Sequence, residues 1–332
     1  MISTERPRIR SVLAVADAPG ADLSLIQPQV PDIRFAALLP GDDVEAVLER
    51  VRPDAVYSIH SADFSPAMHR TAASHPTVRW VHVGGSGYEH VLPVPSDRPL
   101  THSPGLLAGA HAETVIGVII SLNANLLKYV EQQRRRVWET HFFRPLRGQT
   151  LLIVGLGRVG VETARLARRL GMRVIGVKRQ AAPHPDADEV VGYDRLHEVL
   201  SQADVVSVHL RVAPETRRVF DERAFAAMRR GAIFVNTARG AVVDERALAA
   251  ALNDGRIAAA HLDVFETEPL PTDSPLWKVP NLLITPHAAD SIGTWPKLFA
   301  DAFAENIRRW HAGEELLNQV SPDHAVARSD AS

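Results

Sequence analysis

The sequence predicts an α/β protein with two doubly wound parallel sheets, and three features predict it. Short apolar runs rich in β-branched residues alternate with stretches of helical period along nearly the whole chain. Its 332 residues suit two domains better than one. Near the middle, a second block of alternation opens on a strand that ends in three spaced glycines.

The first block supplies four strand candidates, Ser11–Val15, Arg34–Leu38, Ala55–Ile59 and Arg79–Val83. Helical stretches lie between them at Val44–Val51, behind Asp42-Asp43, and at Pro66–Ser74. Ligands in such sheets bind at the carboxyl ends of strands. Two of these ends are polar or flexible: Ile59 leads to His60-Ser61, and Val83 leads to Gly84-Gly85-Ser86-Gly87. The second is a candidate nest of backbone N–H groups for a small carboxylate. His60 reads equally as a ligand or as a satisfied loop histidine. Pro93–Pro104, rich in proline, serine and threonine, reads as a connection between domains. Leu106–Tyr129 reads as one long helix, apolar enough to be covered on several sides, by the other domain or by a partner subunit. The basic run Gln132–Arg136 reads as a solvated face.

The glycine unit is Thr150–Arg179. Thr150–Val154 has strand length, Gly155, Gly157 and Gly160 follow, and Val161, Ala164, Ala167 and Leu170 recur at helical spacing before Gly171. Arg173–Val177 is a second strand. In this context the glycines read as a dinucleotide fingerprint. The first permits the turn, the second admits a pyrophosphate, and the third lets helix and strand approach. The anion would sit on the helix N-terminus. The alternative is a glycine-rich turn that binds nothing. The second strand ends in Lys178-Arg179, where an NAD site usually carries a carboxylate about 20 residues past the glycines. Two cations attract a 2′-phosphate, so NADP is the expected cofactor, with NAD as the alternative. The pair could also be only a solvated surface feature.

Beyond it, Asp204–Leu210, Ala232–Ala238, Ala258–Val264 and Leu282–Thr285 read as strands, making about six parallel strands with the first two, the expected size of a dinucleotide domain. Asp221–Arg229 and Asp244–Leu252 read as helices capped by their aspartates. The polar residues at the strand ends form a pattern. Arg239 follows one strand, Asp263 ends another and leads to Glu266 and Glu268, and His287 follows the last. Taken singly these are a surface cation, a loop carboxylate and a helix cap. Together they place an arginine, a carboxylate and a histidine on the edge expected to hold the nucleotide.

Composition narrows the functional classes. A formal charge of −2 gives no global attraction to nucleic acid or anionic membrane. With no cysteine there is no disulfide, thiol nucleophile or thiolate metal site, and no metal is expected. The charged N-terminus lacks a signal-peptide core, and no apolar run reaches spanning length, so a cytoplasmic location is expected. The last ten or so residues read as disordered.

GLGRVG, VNTARGAVVDERAL, LDVFETEPL and NLLITPHAA together resemble the signatures of the D-isomer-specific 2-hydroxyacid dehydrogenases, in order and spacing, and the likeness spans nearly the whole chain. The resemblance implies a Rossmann dinucleotide domain, residues 103–287, inserted into a flavodoxin-like substrate domain formed by residues 1–102 and 288–332, with the active site in the cleft. It implies a helix over Ala288–Trp310 that returns to the first domain, and a homodimer with the Leu106 helix region in its interface. Arg239 would hold the substrate carboxylate and polarise the keto oxygen. His287 would be the general acid in reduction, and Glu268 would fix and charge its imidazole. Asp263 would lie near the nicotinamide or support this triad. The cofactor would be held by Gly155, Leu156, Gly157, Arg158, Val159, Gly160, Lys178, Arg179, His209, Arg211, Thr216, Thr237 and Ala238, with Arg239, Asp263 and His287. Gly84, Gly85 and Ser86, with Arg239, His287 and more weakly His60, would bind the substrate.

Some positions depart from the family's common pattern: Lys178 replaces an aspartate, Arg211 a proline and Thr114 a histidine. Glu268 separates the chain from the related formate dehydrogenases, which carry glutamine there. The implied activity is NADP-preferring reduction of a small 2-oxo acid such as glyoxylate or hydroxypyruvate. The alternative is a dinucleotide-sensing protein similar to the corepressors built on this scaffold.

Overall fold

The computed structural model describes residues 6–16, 19–60 and 63–321. Ser61, most of the tail expected to be disordered and the start of the charged N-terminus lie outside them. The chain divides into two compact units, one running to Leu106 and resuming at Ile292, the other spanning Leu107–Ser291.

The first unit contains β1 (Ser11–Val15), α1 (Pro19–Ile26), β2 (Arg34–Ala37), α2 (Val44–Val51), β3 (Ala55–Ser58), α3 (Pro66–Ser74), β4 (Trp80–Val83) and β5 (Leu100–His102). Its strands are all parallel, in the order β2-β1-β3-β4-β5, which is the flavodoxin-like order. The period-2 alternation of β1 sends Leu13 and Val15 to a layer with Val47, Leu48, Ala72 and Ala73 of α2 and α3. Val12 and Ala14 point to the opposite layer. Asp43 and Ser65 cap α2 and α3 by accepting first-turn N–H bonds. β5 corrects the reading of Pro93–Pro104 as a mere connection. Three residues are too few to show a period, but they pair with β4 at the sheet edge.

The second unit begins with α4 (Ala108–Asn123) and α5 (Leu126–Arg135). These replace the single helix expected over Leu106–Tyr129. Asn125 takes a left-handed backbone (φ 59°), a conformation asparagine tolerates, and the two axes diverge by 59°. One face of α4 is covered within its own unit. Val115 and Ile119 of α4 are buried within this unit, against Leu151 and Ile153 of the sheet and Ala164 and Ala167 of the glycine-unit helix. Among the described residues no single helix is long and apolar enough to cross a membrane.

Then come β6 (Thr150–Val154), α6 (Arg158–Arg169), β7 (Arg173–Val177), β8 (Glu189–Val191), α7 (Leu196–Leu200), β9 (Val205–Val208), α8 (Glu222–Ala227), β10 (Ala232–Asn236), α9 (Glu245–Asn253), β11 (Ile257–Leu262) and β12 (Leu282–Ile284). The sheet is parallel throughout and ordered β12-β11-β10-β9-β6-β7-β8. This is the dinucleotide-domain order with one further strand. Seven strands stand where about six were expected, because β8, only three residues long, was not foreseen. Leu152 and Val154 face α7, α8 and α9 through Leu196, Val199, Phe225 and Leu248. The helices expected at Asp221 and Asp244 start one residue later, with each aspartate as N-cap.

α10 (Trp295–Ala312) belongs to the first unit and lays Ala300, Phe303, Ala304 and Ile307 on the Val12 and Ala14 layer. It starts seven residues later than the expected Ala288. Ala288 and Ala289 are held in a turn by Asp263, and Pro296 sits in the first helical turn, where its missing N–H costs nothing.

Candidate active site

Because the second sheet is wholly parallel, the ends of β6, β9, β10, β11 and β12 share one edge. The order reverses between β6 and β9, and the glycine turn sits there. Gly155 has φ 105° and its Cα faces the His209 carbonyl, so a side chain would be both strained and obstructed. A Cβ at Gly160 would overlap the Gly155 carbonyl, which is the close helix–strand approach read from the sequence. At Gly157 a Cβ would meet nothing, and no side chain caps α6 there. The N-terminus of α6 thus opens onto free space bordered by backbone, which suits a pyrophosphate.

β10 ends in Asn236, fully buried. Its Oδ1 accepts from the Ala238 N–H at 3.0 Å and its Nδ2 donates to the Arg239 carbonyl at 3.1 Å. This side chain shapes the turn that carries Arg239, and it went unrecognised in the sequence, although asparagine after a strand is an Asx-turn signal. Gly240 must be glycine, since a Cβ would overlap the Phe265 carbonyl of the neighbouring loop.

Asp263 is 1% exposed and organises the end of β12. Its carboxylate accepts from the Ala288 and Ala289 N–H groups at 2.8 and 3.0 Å and from the Thr285 hydroxyl. Its carbonyl accepts from the His287 N–H at 2.8 Å. His261 Nε2 donates to Thr285 Oγ1 at 2.8 Å, and burial pushes that imidazole down to about 4, so it stays neutral. These bonds hold His287 in a left-handed backbone (φ 51°), an unusual conformation maintained by its surroundings.

The imidazole of His287 then meets Glu268. Its Nδ1–H donates to Glu268 Oε2 at 2.8 Å, while Glu268 Oε1 accepts from the Phe265 N–H at 2.8 Å. The Glu268 bond raises the His287 pKa against the opposing pull of burial, and Arg239 tempers the rise. For Glu268, burial favours the neutral acid, but the His287 and Phe265 bonds and the charges of His287 and Arg239 outweigh it and lower the pKa. With Nδ1 engaged, Nε2 is the nitrogen left to exchange a proton.

Other residues anticipated for the site have partners of their own. Thr216 closes its own loop, donating to the Arg211 carbonyl at 2.7 Å and accepting from the Ala213 N–H at 2.8 Å. His209 is bonded to Ser207 Oγ at 2.9 Å, and burial takes it down to about 3. Thr237 Oγ1 lies 2.8 Å from Nε2 of His111, a partly buried histidine on α4 that sequence reasoning passed over. Ala238 borders Arg239 in the same turn. Arg179 pairs with Glu215 at 2.5 Å.

In the first unit, two of the four amides of the nest expected over Gly84-Gly85-Ser86-Gly87 are engaged within the fold. Those of Gly84 and Gly85 donate to the carbonyls of Ser58 and Val83 at 2.9 and 3.0 Å. Ser86 is exposed, and the loop is clamped from behind by Ser103 N–H to Gly85 O at 2.8 Å and His102 Nδ1 to Ser86 O at 3.0 Å. His60 is exposed at the end of β3, edge-on to His90 at 5.2 Å.

A dinucleotide turn sharing its sheet edge with a charged histidine–carboxylate pair and an arginine defines a nicotinamide-dependent oxidoreductase. The model of the D-isomer specific 2-hydroxyacid dehydrogenase NAD-binding domain matches residues 116–289. Glyoxylate reductase of Korarchaeum cryptofilum is 32% identical over 86% of this chain and 88% of its own length. Glyoxylate/hydroxypyruvate reductase B of Klebsiella pneumoniae is 39% identical over 67% of this chain and 71% of its own. The crystal structure of a D-isomer specific 2-hydroxyacid dehydrogenase from Xanthobacter autotrophicus, in complex with NADPH and MES, superposes with a TM-score of 0.80 at 30% identity, covering 96% of this chain and all of that one. The chain belongs to the D-isomer specific 2-hydroxyacid dehydrogenase family and is an NAD(P)-dependent enzyme of that class.

Proposed function

We propose that the enzyme reduces small 2-oxo acids such as glyoxylate or hydroxypyruvate to D-2-hydroxy acids, reversibly and with NADP(H) preferred over NAD(H). The observation that carries this reading is the 2.8 Å bond from His287 Nδ1 to Glu268, on the sheet edge that also carries Arg239. Bound dihydronicotinamide supplies the hydride that the carbonyl carbon receives. Arg239 holds the substrate carboxylate and polarises the ketone, a task that suits its planar fork. His287 Nε2 gives its proton to the oxygen as the hydride arrives, and takes it back in oxidation. Glu268 keeps the imidazole protonated and oriented.

The Gly155–Gly160 turn holds the pyrophosphate, Lys178 and Arg179 face the 2′-phosphate, and Arg211 adds charge beside them. The first unit is the substrate domain, and its Gly84–Ser86 loop receives the substrate carboxylate through Ser86, with His60 nearby. The protein is a homodimer. Support comes from the exposed apolar side chains of Ile120, Leu126, Val130, Trp138, Phe142 and Phe143 on and after α4 and α5.

Initial rates with glyoxylate, hydroxypyruvate and phenylpyruvate, each with NADPH and with NADH, test the reading. Faster turnover of a small 2-oxo acid with NADPH is expected. Turnover favouring NADH would remove the cofactor preference, and no turnover of any 2-oxo acid would remove the substrate class.

A further inference from the structure

Three chain segments meet beyond the end of β7. The strand itself delivers Lys178 and Arg179, the segment after β8 delivers Tyr193, and the loop after β9 delivers Arg211 and Glu215. The Lys178 N–H donates to the Val191 carbonyl at 3.0 Å, which ties the strand end to β8. Arg179 reaches 36 residues along the chain to Glu215, with its Nη2 at 2.5 Å from Oε1. Tyr193 is half-buried within the same field. Burial raises its pKa, Arg179 lowers it, Glu215 raises it and Arg211 lowers it. The one carboxylate among these groups therefore sits on a loop, while the strand-end position that usually carries it holds Lys178.

We propose that Glu215 is a specificity-determining residue for the cofactor: it occupies Arg179 when no 2′-phosphate is present, competes with that phosphate for the guanidinium, and offers an acceptor to a ribose 2′-hydroxyl in its place. The inference rests on the assignment of Arg179 to the 2′-phosphate. Physically, a phosphate and a carboxylate against one guanidinium repel each other, so NADPH either displaces Glu215 or binds against that repulsion. A hydroxyl carries no charge and can donate to the carboxylate with the ion pair left in place. The pair therefore narrows the preference for NADPH and keeps NADH usable. Both side chains are more than half exposed, which makes the displacement easy and the effect small.

The test is the dissociation constant of NADPH and of NADH, by fluorescence titration at low and high salt, for wild type, Glu215→Gln, Arg179→Ala and the double variant. Binding is read without any oxo acid, so the result does not depend on the substrate. Glu215→Gln is expected to tighten NADPH about three- to fivefold, the scale of an exposed charge pair. NADH should be unchanged or weaker, and the gain should shrink at 1 M salt. In the Arg179→Ala background the same substitution should do much less, because the contested cation is gone. An unchanged NADH-to-NADPH ratio in Glu215→Gln, with Arg179→Ala still selectively weakening NADPH, overturns the proposal and leaves the 2′-phosphate assignment standing. If Arg179→Ala weakens both cofactors equally, that assignment fails and the role of Glu215 fails with it. A wild type that binds NADPH no better than NADH, but gains NADPH preference in Glu215→Gln, supports the proposal and removes only the overall NADP preference.

Discussion

At 2.8 Å from His287 Nδ1, the Glu268 carboxylate sets both the orientation and the charge of the imidazole. The sign of the pH effect follows. A raised His287 pKa keeps the acid form present to higher pH, so in the proposed reaction reduction declines only as pH rises through that value. Oxidation, which needs the neutral form, declines as pH falls through it. Glu268→Gln removes the carboxylate, and the alkaline limb of kcat/KM for reduction should move to lower pH. An unmoved limb would show that Glu268 does not charge His287. The residues that prepare this pair were less visible beforehand. Arg239, Glu268 and His287 stand out as polar residues at strand ends. Asn236, Thr285 and His261 do not, since their roles depend on which backbone groups the turns bring to them.

At the scale of the element, the site depends on the β10 turn lying directly under the loop after β11. Gly240 permits that approach, because any Cβ would enter the Phe265 backbone. Backbone cannot move aside as a flexible side chain can, so Gly240→Ala should destabilise the protein by about 3 kcal/mol, at the upper end of overpacking effects. A melting temperature equal to wild type would contradict this close packing. The strongly periodic elements were legible: α2 and α3 run over the residues expected, and the glycine turn joins its strand and helix as read. Two short edge strands were not, although β12, equally short, was expected within Leu282–Thr285. β5 and β8 have three residues each and pair at sheet edges, where neighbours rather than their own pattern define them. The break at Asn125 was hidden because one left-handed residue leaves the apolar spacing on either side intact.

For the whole molecule, the strand orders of the two sheets carry the architecture; alternation of strands with helices implies that the sheets are parallel but does not fix those orders. What alternation cannot reveal is convergence between loops distant in sequence, as where Arg179, Tyr193 and Glu215 meet, or an exposed apolar surface that no described segment of this chain covers. Trp138 and Phe142 are almost entirely exposed, at 101% and 97%, on the segment after α5. If they lie in a dimer interface, Trp138→Glu with Phe142→Glu should yield a monomer by analytical ultracentrifugation where wild type sediments as a dimer. A monomeric wild type would remove the homodimer.

The central claim is that a proton from His287, held by Glu268, accompanies hydride transfer to a 2-oxo acid. It is tested most directly by single-turnover reduction of glyoxylate by His287→Ala loaded with NADPH. The account predicts NADPH binding close to wild type and a rate about a hundred- to ten-thousandfold lower, the range for loss of a general acid. A near-wild-type rate in that variant, with cofactor bound, would contradict it.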